Sequence, residues 1–257
     1  MMIGQNNLKS KIRSYDYLTL PQSILIEGES GCGKHLLVEE ISKRFDVDVE
    51  DITEHLKYEY LSELFTKALP MIYLVDGSSL TPKDENALLK FLEEPPTVAK
   101  VIVLCENRNE LLETIQNRCF VLSFDRYTSE ELMNFTGNAE LLRYASTPGQ
   151  VIELEKNNLT SVVNLCNLII DNIGCASIPN ALSLVKKFNV DGEDGYDIKL
   201  FFRIFLSEIR DRSVANVDNK YSNAYFLTSE FCRDLKSTAN KRRLLESYLL
   251  NLKKTLR

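Results

Sequence analysis

Apolar positions along the chain follow two kinds of pattern, and the change between them divides the sequence. In the first half, short unbroken apolar runs alternate with stretches of helical periodicity. SILIE at Ser23–Glu27 reads as a strand, followed by a glycine loop and a helix over about 34–44. MIYLV at 71–75 reads as a second strand, VIVLC at 101–105 as a third, and CFVLSF at 119–124 as a fourth. A helix over about 82–93 must stop at Pro95-Pro96, because proline lacks the amide that would continue it. β-Branched runs separated by helices predict a parallel sheet covered on both faces.

After Phe124 no further strand is expected. Thr128-Ser129-Glu130-Glu131 carries helix-start chemistry, and short helices fill the stretch to about residue 156. Ser146-Thr147-Pro148-Gly149 reads as a turn that opens another helix. From about Leu159 the pattern is helical to the end, through SVVNLCNLIIDNI, ALSLVKKF, IKLFFRIFLSEIRDR and RRLLESYLLNLKKTL. Three domains are therefore expected: an α/β domain over 1–125, a small helical lid over 126–158, and an all-α domain over 159–257.

Composition narrows the functional classes. The 257 residues are 44% apolar and 26% charged, enough to build cores and unlike a collagen-like or disordered chain. Thirty-one Lys and Arg face 37 Asp and Glu, a net charge of −6, so no bulk positive field draws the chain to nucleic acid. Any DNA contact must be local or shared with partner subunits. The six cysteines form no C-x-x-C pair, so neither a zinc site of the usual spacing nor a disulfide framework is expected. The opening MMIGQNNLKSKIRSYDY has no stretch suited to a signal peptide, and nowhere do roughly 18 uncharged apolar residues run together. No membrane segment is expected, and the reading is a cytoplasmic protein.

The clearest chemistry lies between the first strand and its helix. Gly28-Glu29-Ser30-Gly31-Cys32-Gly33-Lys34-His35 has the Walker A spacing G-x-x-x-x-G-K. Such glycines let backbone N–H groups turn toward phosphate oxygens, the helix N-terminus adds partial positive charge, and Lys34 supplies a point charge. The next position normally carries a Ser or Thr hydroxyl for Mg²⁺. Here it is His35, a poor ligand for a hard cation and readable as an ordinary helix-start histidine. The second strand leads into Asp76, placed as a Walker B acid that orients Mg²⁺, or alternatively as the cap of the next helix. Gly77 follows it, and glycine has no side chain to accept a proton from an attacking water.

Asn86-Ala87-Leu88-Leu89-Lys90-Phe91-Leu92-Glu93-Glu94-Pro95-Pro96 resembles the NALLK-x-LEEPP segment of AAA+ sliding-clamp loader subunits. Read alone, Ala87, Leu88, Phe91 and Leu92 form one apolar helix face. Ile3-Gly4-Gln5 is similar to that family's I-G-Q opening, and Thr114-Ile115-Gln116-Asn117-Arg118-Cys119 to its T-I-x-S-R-C segment, with Asn117 replacing Ser. The resemblance implies an AAA+ P-loop parallel sheet with a helical lid, followed by an all-α collar that joins subunits. It implies that Arg118 is an arginine finger acting on a neighbour's nucleotide; without it, Arg118 reads as a surface ion-pair donor. Asn107 falls where the family carries its sensor 1 residue. Gln150 occupies the region of the sensor 2 arginine, and the four-cysteine zinc module of bacterial members is missing.

Retained NALLKFLEEPP and NRC beside altered Walker A, Walker B and sensor 2 positions give the expectation of a delta-prime-like stator. It would bind ATP or ADP weakly or not at all, with Mg²⁺ uncertain and no zinc, and would turn over no ATP of its own. The implied partners are a motor ATPase, a delta-like subunit, the sliding clamp and primer-template DNA. Two other readings stay open: a divergent but active clamp loader motor using Asp84 or Glu106 as base, and an unrelated P-loop kinase or transferase. In the helical half, Phe201-Phe202, Ile204-Phe205-Leu206, Ile209 and the Leu244, Leu245, Tyr248, Leu249, Leu252 stripe read as core or as interface. Lys241-Arg242-Arg243 and Lys253-Lys254 read as solvated faces.

Overall fold

The computed structural model describes residues 4–64, 69–157, 159–189, 196–216, 219–237 and 240–257; Ile3 of the I-G-Q opening lies outside the described residues. The chain divides into two compact units, Met1–Glu153 and Leu154–Arg257, and most of the stretch expected as a lid falls in the first. In chain order the first unit holds α1 (Asn6–Arg13), β1 (Ser23–Glu27), α2 (Lys34–Phe45), β2 (Asp48–Asp51), α3 (Tyr58–Leu64), β3 (Met71–Asp76) and α4 (Pro82–Glu93). There follow β4 (Lys100–Cys105), α5 (Glu113–Gln116), β5 (Phe120–Ser123), α6 (Ser129–Met133) and the start of α7 (Pro148–Lys156).

The five strands pair in parallel in the order β2-β3-β4-β1-β5. Ile24 in the middle of β1 lies opposite Ile102 on one side and Phe120 on the other. β1 thus sits between two strands that do not adjoin it in the chain, and the crevice beyond the strand carboxyl ends opens beside it. Alternation sends Leu25, Tyr73, Val75, Val101 and Val103 to a face covered by Leu88, Phe91 and Ile115. Ile24, Ile26, Ile72, Leu74 and Ile102 face the other way, onto Leu8 and Ile12 of α1 and Leu37, Val38 and Ile41 of α2. Both faces are covered, which is why the central strands carry no polar alternation.

Two strand pairings depart from the sequence reading. β2 is DVED, an edge strand whose side chains are mostly exposed and which needs only backbone pairing with β3, so no apolar run announces it. The expectation that strands cease after Phe124 is also corrected. β6 (Phe188–Asn189) and β7 (Tyr196–Asp197) form a parallel pair of two residues each, too short to leave a periodic pattern.

α4 shows why its segment is helical. Thr81 caps it, accepting from the Asp84 amide at 3.4 Å, while the Asp84 carboxylate accepts from the Thr81 amide at 3.0 Å. Leu88, Phe91 and Leu92 are buried and Ala87 half-buried, and Glu85 is turned inward beside them.

Alongside the short pair, the second unit contains α8 (Leu159–Asn172), α9 (Ile178–Ser183), α10 (Ile198–Ala215), α11 (Asn219–Ser237) and α12 (Lys241–Thr255). α10 packs on α8 and α11, and α12 on α11 and α9. Phe202 stands 4.6 Å from Phe231 and 5.3 Å from Tyr248, ring centre to ring centre. Phe201, Phe202, Ile204, Phe205 and Ile209, like Leu245, Tyr248, Leu249 and Leu252, are buried within this unit and form its core. Lys241, Arg242 and Arg243 are exposed, whereas the Lys253 ammonium donates to the Gly174 carbonyl at 3.1 Å. Among the described residues, no helix is long and apolar enough to cross a membrane.

Candidate functional site

The phosphate loop follows β1 directly and enters α2 through Gly33 at φ 104°, with Gly31 also left-handed at φ 79°. Cys32 turns the loop, its amide donating to the Glu29 carbonyl at 3.2 Å. The Lys34 ammonium folds back to donate to the carbonyls of Gly28 at 2.5 Å and Glu29 at 3.2 Å. Lysine and loop backbone are therefore already organised around one small space. Burial pushes the Cys32 thiol up, against the opposing pull of Lys34.

Ser30, Gly31, Gly33, Lys34, His35, Leu36, Asp76, Ser78, Leu104, Cys105 and Glu106 line a cleft of about 300 Å³. Lys34, His35 and Asp76 are thus brought together at the carboxyl ends of β1, β3 and β4. Glu106 lines the same cleft, whereas Asn107 lies outside that lining. The Asn107 side chain caps the following turn, accepting from the Asn109 amide at 3.0 Å. Burial, and then the Glu27 charge, pushes the neighbouring Cys105 thiol up to about 12.

Asp76 ends β3, and its Oδ1 accepts from the Ser78 amide at 3.0 Å and the Ser78 hydroxyl at 2.7 Å. Its own amide donates to Thr53 Oγ1 at 2.9 Å, and the Thr53 hydroxyl donates to Asp51 at 2.6 Å. Thr53 was not legible as a site residue, since nothing signals its place before β2 is known. Gly77 is crowded: a Cβ there would stand 2.7 Å from the Leu104 carbonyl oxygen and 3.1 Å from Leu111. The position after Asp76 thus has neither a base nor room for one. A nucleotide's phosphates fit the donors present, through Lys34 and the α2 N-terminus. A Mg²⁺ ion would find the carboxylates of Asp76 and Glu106 in the cleft lining, with His35 offering nitrogen at the position after Lys34 where oxygen is preferred.

A strap closes the outer side of the phosphate loop. Thr147 Oγ1 donates to the Ser30 carbonyl at 2.8 Å, and the Gly149 amide to the Gly31 carbonyl at 2.9 Å. The Ser146 hydroxyl lies within hydrogen-bond reach of both the Glu29 carboxylate and Gln150 Oε1. Gln150 is thereby turned back onto Ser146, its Oε1 also accepting from the Ser146 amide at 2.9 Å. The Tyr127 hydroxyl also holds the loop, donating to the Cys32 carbonyl at 2.7 Å. Gln5 bonds both the amide and the carbonyl of Asp125 at 2.8 Å, tying the chain's opening to the end of β5.

Arg118 stands at the end of the segment that leaves β4. Its guanidinium donates to the Thr114 carbonyl at 2.9 Å and to the Glu93 carboxylate, and its side chain is 33% exposed. Glu27, the last residue of β1, accepts from the Arg108 amide and from the Ser123 hydroxyl, each at 3.0 Å, and pairs with the Arg108 guanidinium at 3.3 Å. Sequence reasoning passed over Glu27, although a charge closing an apolar strand beside a phosphate loop was a visible signal.

A family model described as DNA polymerase III, delta subunit, matches residues 46–128, which take in Asp76, NALLKFLEEPP, Asn107 and Arg118 but not the phosphate loop. DNA polymerase III subunit gamma of Buchnera aphidicola subsp. Schizaphis graminum is 30% identical over 116 residues, covering 40% of this chain and 31% of that protein. The delta' subunit of the same organism is 29% identical over 104 residues, with the same coverage of 40% and 31%. The chain therefore spans about a third of the length of these curated relatives. Among solved structures, a point variant of Thermotoga maritima RuvB aligns with a TM-score of 0.51 at 18% identity, covering 97% of this chain and 88% of that one. That likeness shows a shared fold, with the five-stranded parallel sheet at its centre. Through residues 46–128 the chain matches the DNA polymerase III delta subunit family model, and over about 40% of its length it is similar to DNA polymerase III gamma and delta' subunits.

Proposed function

We propose that this chain is a delta-prime-like stator of a clamp loader, helping to load a sliding clamp onto primer-template DNA. In this reading it holds a hetero-oligomer together in the cytoplasm and binds ATP or ADP weakly, without splitting it. It lends Arg118 to a neighbouring motor ATPase, and the second unit serves as the collar that joins it to motor and delta-like subunits. The observation that carries the reading is Gly77, packed against the Leu104 carbonyl where a catalytic carboxylate would have to stand. His35 beside Lys34 and Gln150 turned onto Ser146 support it. The test mixes the chain with candidate motor subunit, delta-like subunit and clamp, and measures co-elution together with DNA-stimulated ATP turnover. Co-elution with full turnover only when Arg118 is intact supports the stator; normal turnover with Arg118→Ala removes it.

One observation favours a second reading, an active gamma-like motor. Glu106 lines the cleft with Lys34 and Asp76, and a carboxylate there would take the place of the missing base. Asp84 drops out of this reading, because its carboxylate is engaged at the start of α4 by Thr81. ATP turnover by the purified chain, abolished by Lys34→Ala, would select the motor.

A further inference from the structure

Between β4 and β5 the chain runs from beside the phosphate loop to Arg118, and three carboxylates from three other positions grip it on the way. Glu27 accepts from the Arg108 amide at 3.0 Å, Glu85 of α4 accepts from the Leu112 amide at 3.1 Å, and Glu93 at the end of α4 accepts from the Arg118 guanidinium. Local hydrogen bonds stiffen the pieces between these grips. The Leu111 amide donates to the Arg108 carbonyl at 3.0 Å, the Ile115 amide to Leu112 at 2.9 Å, and the Arg118 amide to Ile115 at 3.1 Å. Leu111 and Ile115 are buried in the core beneath.

The joint between the two hydrogen-bonded pieces is Leu111-Leu112, whose backbone is extended (φ −101°, ψ 154° and φ −53°, ψ 135°). No backbone turn bond among those just described spans those two residues; the Gln116 side-chain amide, donating to the Leu111 carbonyl at 3.0 Å, bridges the joint from one side. The other grip at that joint is Glu85, a carboxylate turned inward on a helix whose other inward residues are apolar. A hydrogen bond from an amide to an ionised carboxylate is among the stronger kinds, and losing it leaves a buried charge unpaired. At the near end, Glu27 adjoins Gly28, whose carbonyl accepts from Lys34. A phosphate that drew Lys34 away would therefore act on the residue next to this grip.

We propose that Glu27, Glu85 and Glu93 are positioning residues that make segment 107–118 one strut between the chain's own phosphate cleft and Arg118. The functional meaning rests on the reading of Arg118 as a finger for a neighbour; the strut itself is read without any partner. The test uses the full chain, free of nucleotide. Phenylglyoxal labelling of Arg118 is followed by peptide mass spectrometry, with amide hydrogen exchange across 108–118. Glu85→Ala raises Arg118 labelling and amide exchange by about tenfold, the loss expected for one hydrogen bond to a charged group. Glu85→Gln keeps a neutral oxygen for the Leu112 amide and brings both values back toward those of the wild type. Should Glu85→Ala fail to fold, Glu27→Ala makes the same test from the other end. Faster labelling of Arg118, ten residues beyond Arg108, supports the strut, and unchanged labelling and exchange overturn it. Normal partner turnover with Arg118→Ala would instead remove the finger reading and leave these labelling results standing.

Discussion

The Arg118 guanidinium donates to the Glu93 carboxylate, joining the two segments, NALLKFLEEPP and NRC, that carry the resemblance to clamp loader subunits. The side chains are 33% and 49% exposed, so solvent screens much of the attraction. Glu93→Gln should lower stability by less than about 1 kcal/mol in a urea titration. A larger loss would mean that the pair braces the fold instead of holding Arg118 available for exchange.

Arg118→Ala should be more telling in a reconstituted complex. Removal of a finger that stabilises charge on a transferring phosphoryl group lowers the partner's turnover by about 10³-fold or more. Steady-state phosphate release by the motor subunit, with wild-type and variant chains at equal occupancy, measures it.

Restoring a glutamate at position 77 should not restore hydrolysis. Any Cβ there meets the Leu104 carbonyl at 2.7 Å and Leu111 at 3.1 Å, so Gly77→Glu must push β3 from β4 or displace Leu111. Overpacking of this kind costs about 1–3 kcal/mol. The expected outcome is a lower midpoint of thermal unfolding with no gain in ATP turnover; a stable, active variant would show that the crowding does not exclude the base.

A similar argument applies where the strap meets the phosphate loop. A Cβ on Gly149 would stand 2.6 Å from the Gly31 Cα, backbone against backbone. Gly149→Ala should therefore separate the strap from the loop and lower stability by about 1–3 kcal/mol. Hydrogen exchange at the Gly149 amide, now bonded to the Gly31 carbonyl, should rise in parallel.

Much of this was legible in the chain. Ser23–Glu27 and Pro82–Glu93 have the bounds that their apolar runs and flanking residues predict, because buried strands and capped helices write their geometry into adjacent positions. β2 was invisible, since an exposed edge strand is specified by its partner's backbone. The phosphate loop, Asp76 and Arg118 were readable from spacing and resemblance. Glu85, Thr53 and the Ser146–Gly149 strap were not, since each acts on a residue at least 23 positions away or on the far side of a fold not yet formed. Gly77 was read as a missing base; only the packing of Leu104 and Leu111 shows that the space is filled as well.

The start of α4 predicts a dependence on acidity. Bonds from the Thr81 hydroxyl and amide hold the Asp84 carboxyl below its usual 3.8. A carboxyl lowered in the folded state adds stability that is present above the unfolded value and lost as pH falls through the folded one. The stability difference between wild type and Asp84→Asn should therefore be constant near neutrality and shrink below about pH 4. Urea midpoints of the two proteins from pH 7 to pH 2 check this; a difference that grows on acidification would contradict the cap.

The central claim is that the chain keeps a phosphate loop without the means to split what it holds. Steady-state phosphate release by the purified chain with Mg²⁺ and ATP tests it most directly. Release indistinguishable from that of Lys34→Ala is the predicted result. Brisk release by the wild type that disappears in Lys34→Ala would contradict it and make the chain a motor.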